Sequence, residues 1–504
     1  MHLKYIQQQN NNFEIENQIS KLKTTFRRIQ RQNILLIEKK ELDKFENIAK
    51  EKNKNKFWRF ININKKKRST ETSPTISPQN LLNHYSKFFF EKSELNTEQK
   101  LIENSVYDNF NSYKVPDNPP LFSLAQIEFI IKELKESNVS GNDLLTYSLI
   151  KNATTPTFKL ALLQFFNYFI TLNRIPNKLN HSIIKPIIKD QKKSTNDTNN
   201  IRPISISNCL SQIFEKLILL NSPALLKIHK NQFGFKKKTS CNHALFVMKE
   251  TVLRYLNNKS SCKIASLDAE KAFDKVWRDG LFHKLYKKMD PTFWNLLKRY
   301  YDSSQGVILN PDFSSFSEFP INCGVKQGGI LSPFLFNVFI DELITNCLDL
   351  NLGALFHTID MSIIVYADDI LLISPVDFQL QKLLDVCTDY SEKWRIKFNT
   401  SKSNIITFGE PLFENSFRLN NKILNETENI EYLGTKINSK FEFDTLSQEK
   451  FLNVQKSIFS LSYLGLTPRG VTPALKAFIY KTYCLSQYTY DLETTTLKLK
   501  QETS

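Results

Sequence analysis

Two aspartates, Asp368 and Asp369, stand side by side inside the apolar run "SIIVYADDILLIS" (362–374). A third, Asp268, closes another apolar run within "CKIASLDAEKAFDKVW" (262–277). Carboxylates in such surroundings are costly, because burial disfavours the charged form and a neighbouring like charge disfavours it further. Apolar residues on both sides of the tip "YADD" suit a β-hairpin with the aspartate pair at its turn. Asp268 falls at a strand end. Three carboxylates meeting at strand ends would make a hard-oxygen site suited to Mg²⁺, which takes a few carboxylates and completes its shell with water and phosphate. Two such ions about 3.5–4 Å apart can activate an attacking 3′-hydroxyl and stabilise a departing pyrophosphate. An isolated "DD" in a surface turn would imply none of this, so the weight falls on what surrounds it.

The elements that must position these residues can be read from periodicity. "SLAQIEFIIKELKES" opens with Ser123 as N-cap and Gln126 three residues on, and sets Ile127, Ile130, Ile131 and Leu134 on one face. "LQKLLDVCTDYSEKW" places Leu380, Leu383, Leu384, Cys387 and Trp394 on the core side of a helix. "SNIITFG" reads as a strand, and "FRLNNKIL" and "NIEYLGTKI" as two further strands. A helix is expected from about Leu446 to Leu464, stopped by Gly465 and Pro468, and another over 473–486. Near the start, residues 20–56 show helical spacing, with Phe26, Ile29, Asn33, Leu36, Ile37, Phe45, Ile48 and Ala49 on one stripe. Such a helix would either pack on the protein or track phosphates with its basic residues. "KKKRSTETSPTISP" (65–78) reads as a linker, and its Lys65–Arg68 run as solvated charge or a nuclear-import signal.

The 504 residues allow a large core, and the formal net charge of +17, from 68 basic and 51 acidic residues, favours a polyanionic partner. Residues 1–71 hold 18 Lys or Arg against 8 Asp or Glu, so much of the excess lies there. The longest apolar run, "LALLQFFNYFITL" from Leu160, is too short to cross a bilayer, and the opening "MHLKYIQQQNNNFEIENQ" has no secretory pattern. Seven cysteines (209, 241, 262, 323, 347, 387, 484) show no paired spacing, which argues against a zinc module and for a reducing compartment. The expected setting is intracellular, in nucleus or cytoplasm, without a membrane.

"LDAEKAFDKV", "GVKQGGILSPFLFNVFIDEL" and "YADD", in this order and spacing, resemble the polymerase motifs of reverse transcriptases, in the form closest to the non-LTR (LINE-type) retrotransposon enzymes. The resemblance takes in "SGND", "KPIIKDQKK" and "IRPISISN" upstream and "NTSKSNIITF" and "IEYLGTKI" downstream, over roughly residues 120–440. It implies an α+β right-hand fold of fingers, palm and a short helical thumb. It also implies an RNA-directed DNA polymerase that uses two Mg²⁺ ions (or Mn²⁺), an RNA template, a DNA primer and dNTPs, and extends the partners to a retroelement ribonucleoprotein. Other readings are a catalytically inactive nucleic-acid-binding relic, a group II intron maturase-like enzyme and a telomerase-like one.

Carried over residue by residue, the resemblance assigns the metals to Asp268, Asp368 and Asp369, with the Ala269 carbonyl as a further ligand. Phe273 matches the steric gate that would crowd a ribose 2′-hydroxyl. Gln327 and Gly328 match the loop under the incoming nucleotide, and Arg202, with Lys185 as a weaker match, the clamp on its triphosphate. Lys402 matches the lysine that protonates pyrophosphate. Tyr432, Leu433 and Gly434 match the primer grip, and Asp274 is structural. The chain departs from the pattern at Asn142 in "SGND", at Ile201 before Arg202, and in "KDQKK", which lacks the usual glycine. Neither flank carries the motifs of an endonuclease. The expected boundaries are a basic N-terminal extension and linker (1–78), a helical region leading into the fingers (79–175), fingers and palm (176–440) and a truncated thumb-like region (441–504).

Overall fold

The structure, a computed structural model, describes residues 13–51, 56–59, 76–90, 94–153, 155–190, 193–309, 316–410, 415–440, 443–462 and 472–490. The chain divides into two compact units: Thr72–Glu442, and a second composed of Met1–Glu71 with Phe443–Ser504.

The larger unit is built on two sheets. Four strands, β1 (His181–Ile188), β2 (Ile201–Ser207), β4 (Gln305–Leu309) and β5 (Phe316–Pro320), lie in the order β2-β1-β4-β5. The second sheet takes β3 (Cys262–Asp268), β6 (Ile363–Tyr366), β7 (Asp369–Ser374), β8 (Asn404–Phe408) and β9 (Asn425–Glu426) in the order β9-β8-β3-β7-β6. Its central strands are buried on both faces, which explains their nearly unbroken apolar sequence. Successive residues alternate between two cores, as the two-residue period of a strand requires. Ala265, Leu267, Ile370 and Leu372 face the core shared with helices Ser332–Asp349 and Asp377–Trp394. Cys262, Ile264, Leu371 and Ile373 face the core shared with helix Cys241–Asn257. At the end of β3 away from Asp268, the buried Lys263 pairs with Asp377 at 2.7 Å.

The helical expectations are met closely. Ser123 and Gln126 form a capping box on helix Leu124–Glu133, whose Ile127, Ile130 and Ile131 are buried. Leu380, Leu383, Leu384, Cys387 and Trp394 are buried on helix Asp377–Trp394. Two expectations are corrected. "FRLNNKIL" and "NIEYLGTKI" are each a tight hairpin instead of one strand: Arg418–Leu419 pairs with Lys422–Ile423, and β10 (Asn429–Tyr432) with β11 (Thr435–Asn438). The turns take left-handed backbone at Asn420 and Asn421, and at Leu433 and Gly434. Asn and Gly tolerate that region best, so the punctuation was present inside each apolar pattern.

In the smaller unit, Phe45 and Phe57 pack with Leu475, Tyr483 and Cys484 in one core. The N-terminal helix Phe13–Lys50 is longer than that core. Of its apolar stripe, Phe45 and Ile48 pack there, whereas Phe26, Ile29, Leu36 and Ile37 are exposed. The linker and its Lys65–Arg68 run lie outside the described residues.

Candidate active site

Asp268, the last residue of β3, lies directly across from Asp369, the first residue of β7. Asp369 also pairs with Tyr366 at the end of β6, which leaves Ala367 and Asp368 as a two-residue turn. Ala367 adopts φ +58°, a left-handed conformation that costs a non-glycine residue roughly 1–2 kcal/mol. All three carboxylates are half-buried. Burial, then Asp368 and Asp268, raises the Asp369 carboxyl from 3.8 to about 6. Asp368 is also raised, by burial first and by Asp268, while its own backbone and the Arg202 guanidinium oppose the rise. Among the described residues, no three His, Cys, Asp or Glu side chains are already gathered tightly enough to hold a metal ion. The trio adjoins without forming a closed shell. Crowded, oxygen-only and negative, it has the donor chemistry that a hard divalent cation requires.

The stretch after Arg395 lines the trio's edge. Asn399 N–H donates to the Asp268 carbonyl (2.8 Å), Glu270 N–H to that of Lys397 (2.7 Å), and the Asp268 N–H to Ser403 Oγ (3.2 Å). Ala269 is buried and bridges Phe398. This pairing brings Lys402 Nζ within 3.9 Å of the Asp268 carboxylate, on a largely exposed side chain.

The "KQGG" loop is stitched to β2, the strand that carries Arg202. Ser205 N–H donates to the Gln327 carbonyl (2.8 Å). Gly328 sits at φ +107°, where an added Cβ would lie 2.8 Å from the Ser205 carbonyl oxygen, so only glycine fits. Gln327 Nε2 donates to Asp274 Oδ2 (2.8 Å). Burial raises the Asp274 carboxyl to about 7, with Lys189, Lys271, Gln327 and Lys275 acting against it. Phe273 is half-buried, stacked on Phe336 at 4.6 Å and 17°, with Phe235 edge-on at 6.0 Å. It is a core contact that keeps an accessible side.

Three residues that sequence reasoning passed over belong to this region. Lys189 follows the last residue of β1 directly, four residues beyond Lys185. The Lys189 ammonium is lowered by burial, by Lys271, and by Arg202 and Lys402, with Asp274 opposing, which places it within a cationic group beside the carboxylates. Lys271 is the second, its ammonium 4.6 Å from the centre of the Phe88 ring. The third is Glu215, on helix Cys209–Leu220 and 1% exposed. It accepts from the Tyr300 hydroxyl (2.7 Å) and from the backbone N–H of Ile330 (2.6 Å) and Leu331 (3.1 Å). Lys326, buried beside it and bonded to Tyr300 at 3.2 Å, is lowered to about 8 by burial, with Glu215 opposing. Glu215 thus ties down the loop that carries Gln327. Its signal was available: an acid at helical spacing between Ser211 and Ile218 on an otherwise apolar face.

Tyr432 is buried, packed with Tyr366 and Phe233, and its hydroxyl is raised by burial and then by Asp369. Leu433 and Gly434 form the adjoining turn at φ +50° and +76°, with open space around Gly434. A cleft of about 1180 Å³ runs past Lys271, lined by Lys87, Phe88, Phe90, Lys275 and Lys397 among others.

Residues 189–437 match the family model described as reverse transcriptase (RNA-dependent DNA polymerase). This match and the relatives that follow bear out the motif resemblance to reverse transcriptases of non-LTR retrotransposons. The RNA-directed DNA polymerase from mobile element jockey of Drosophila funebris is 26% identical over 334 residues, covering 64% of this chain and 36% of that protein. The jockey protein of Drosophila melanogaster is 25% identical over 386 residues, covering 74% and 41%. The retrovirus-related Pol polyprotein from type-2 retrotransposable element R2DM of the same species is 27% identical over 243 residues, covering 48% and 22%. The chain therefore spans well under half the length of these relatives. An apo telomerase from Candida tropicalis, truncated from its C-terminal domain, aligns with a TM-score of 0.38 and 11% identity, over 58% of this chain and 59% of that one. The α+β class with largely antiparallel sheets agrees with a right-hand polymerase.

Proposed function

We propose that this chain is an RNA-directed DNA polymerase that extends a DNA primer on an RNA template. The observation that carries the reading is Asp268 facing Asp369 across two paired strands, with Asp368 in the turn and Arg202 in electrostatic reach. Asp268, Asp368 and Asp369 would hold two divalent cations, Mg²⁺ or Mn²⁺, which supply an acidified primer hydroxyl and charge neutralisation at the pyrophosphate. Arg202, Lys189 and Lys271 receive the triphosphate, where a guanidinium can grip phosphate oxygens in pairs. Lys402 delivers a proton to departing pyrophosphate. Gln327 and Gly328 support the incoming nucleotide, Phe273 excludes a 2′-hydroxyl, and the Tyr432–Gly434 turn seats the primer end. The cleft beside Phe88 and Phe90 mixes Lys87, Lys271, Lys275 and Lys397 with Glu94, Glu103, Glu270 and Asp279, and its aromatic, lysine-bearing side suits single-stranded template.

The same reading takes residues 176–440 as fingers and palm and the helices after 443 as a thumb. It places the protein inside the cell within a retroelement ribonucleoprotein; no described helix is long and apolar enough to cross a membrane. The test is direct. Purified protein with an RNA template, an annealed DNA primer, dNTPs and Mg²⁺ or Mn²⁺ should extend the primer. Template binding without extension under either metal would refute the enzyme reading and favour the relic.

A further inference from the structure

The turn that carries Asp368 is held from behind by a segment outside every motif named so far, Asn231–Gly234. Asn231 Nδ2 donates to the carbonyls of Asp360 (3.1 Å) and Ile363 (2.9 Å). Phe233 N–H donates to the Val365 carbonyl (2.8 Å), and Val365 N–H to that of Asn231 (2.9 Å), so the segment adds itself to the edge of β6. Gln232, 1% exposed, turns its Oε1 toward the hairpin tip. That one oxygen accepts from Gly234 N–H (2.7 Å) and from Ala367 N–H (3.1 Å). Gly234 must be small: an added Cβ would lie 2.5 Å from the Ala367 nitrogen. From the other side, Asn337 Nδ2 donates to the Gly234 carbonyl (3.2 Å).

We propose that Gln232 is a positioning residue for nucleotidyl transfer: through the Ala367 amide it fixes the left-handed turn that aims Asp368, and Gly234 supplies the close approach this needs. Ala367 pays for its backbone conformation, and among the described residues Gln232 is what its N–H donates to, so the side chain that satisfies it sets where the next residue points. The proposal rests on the polymerase reading for its kinetic consequence, but the clamp itself is a statement about the turn.

The test uses the full chain with Gln232→Met, which keeps length and removes the acceptor, Gln232→Glu, which keeps an acceptor, and Gly234→Ala. Amide hydrogen exchange over residues 363–370 is read first. Losing the acceptor from a buried N–H should speed exchange at the turn by about 10-fold or more in Gln232→Met and Gly234→Ala, while Gln232→Glu stays closer to wild type. Mn²⁺ binding, followed by electron paramagnetic resonance without nucleotide, should weaken several-fold in Gln232→Met. In primer extension, kcat should fall about 10–100-fold, with KM for dNTP changed less than about twofold. Native turn protection with native Mn²⁺ binding in a folded Gln232→Met would overturn the proposal. If that variant does not fold, native protection in Gly234→Ala overturns it equally. Should wild-type protein neither bind Mn²⁺ nor extend a primer, the polymerase reading fails, and the exchange data still decide the clamp.

Discussion

Asp369→Asn separates the cost of crowded carboxylates from ordinary polar packing. The substitution keeps the side chain's shape and removes its charge. In the wild-type protein the Asp369 carboxyl is raised from 3.8 to about 6, by burial first and by Asp368 and Asp268 next. A carboxyl whose folded pKa exceeds its unfolded value binds its proton more tightly when folded, so stability falls as pH rises from about 4 to about 6 and then levels off. Two pKa units correspond to about 3 kcal/mol, and partial solvent access screens this to about 1–2 kcal/mol. In chelator at pH 7.5, Asp369→Asn should therefore unfold about 2–8 °C higher than wild type, since each kcal/mol moves a large domain by about 2–4 °C. At pH 4.5 the gap should narrow to about a third, because the folded carboxyl is then protonated while the unfolded one, near 3.8, is still largely ionised; it closes fully only below about pH 3.8. Asp274, raised to about 7, adds a similar slope to both proteins and cancels in the difference. The assay is thermal unfolding at the two pH values, with primer extension alongside, where the variant should be inactive. A variant less stable than wild type at pH 7.5, or a gap independent of pH, would refute the electrostatic argument. Near-normal extension would sink the metal assignment.

Phe273→Val should raise incorporation of ribonucleotides relative to deoxyribonucleotides, read as a ratio of kcat/KM values that cancels general loss of enzyme. Because the ring also stacks on Phe336, the variant should lose about 1–3 kcal/mol of stability; an unchanged ratio in folded protein leaves Phe273 a core residue only. Glu215→Ala strands two backbone N–H groups and leaves buried Lys326 without its neighbouring acid, while the Tyr300 hydroxyl keeps Ser211; it should cost about 3–5 kcal/mol in urea unfolding, and a loss under 1 kcal/mol would show the network to be dispensable. Lys402→Ala should leave template affinity within about twofold and lower kcat; equal kcat across pH 6–9 would remove it from proton delivery.

Much of the candidate site was legible because chemistry stood out against its surroundings. Aspartates inside apolar runs marked the hairpin tip and the end of β3, and Ser123 with Gln126 marked a helix start. Their juxtaposition was not legible without the family motifs, since Asp268 and Asp369 meet through strand pairing across a hundred residues of intervening chain. The cationic group was harder. Lys189 stands just past β1 in a polar loop, and only the fold shows that it lies near Lys271 and Arg202. Glu215 and Gln232 were missed for a related reason: each acts on backbone amides, and a backbone partner leaves no trace in side-chain spacing. The two hairpins read as single strands show the reverse, where local turn residues outweighed a continuous apolar pattern.

The core that joins Phe45 and Phe57 to Leu475 and Tyr483 sets an order of events during synthesis. The two halves are separated by about 400 residues, which at roughly 5–20 residues per second means a wait of about 20–80 s before the second half leaves the ribosome. Until then Phe45 and Phe57 can pack only on each other and on near neighbours such as Ile48, without Leu475 and Tyr483, on a chain whose first 71 residues carry 18 basic side chains. Ribosome-stalled chains ending before residue 470 should accordingly retain protease-sensitive sites near Phe45 that chains released after residue 490 lose.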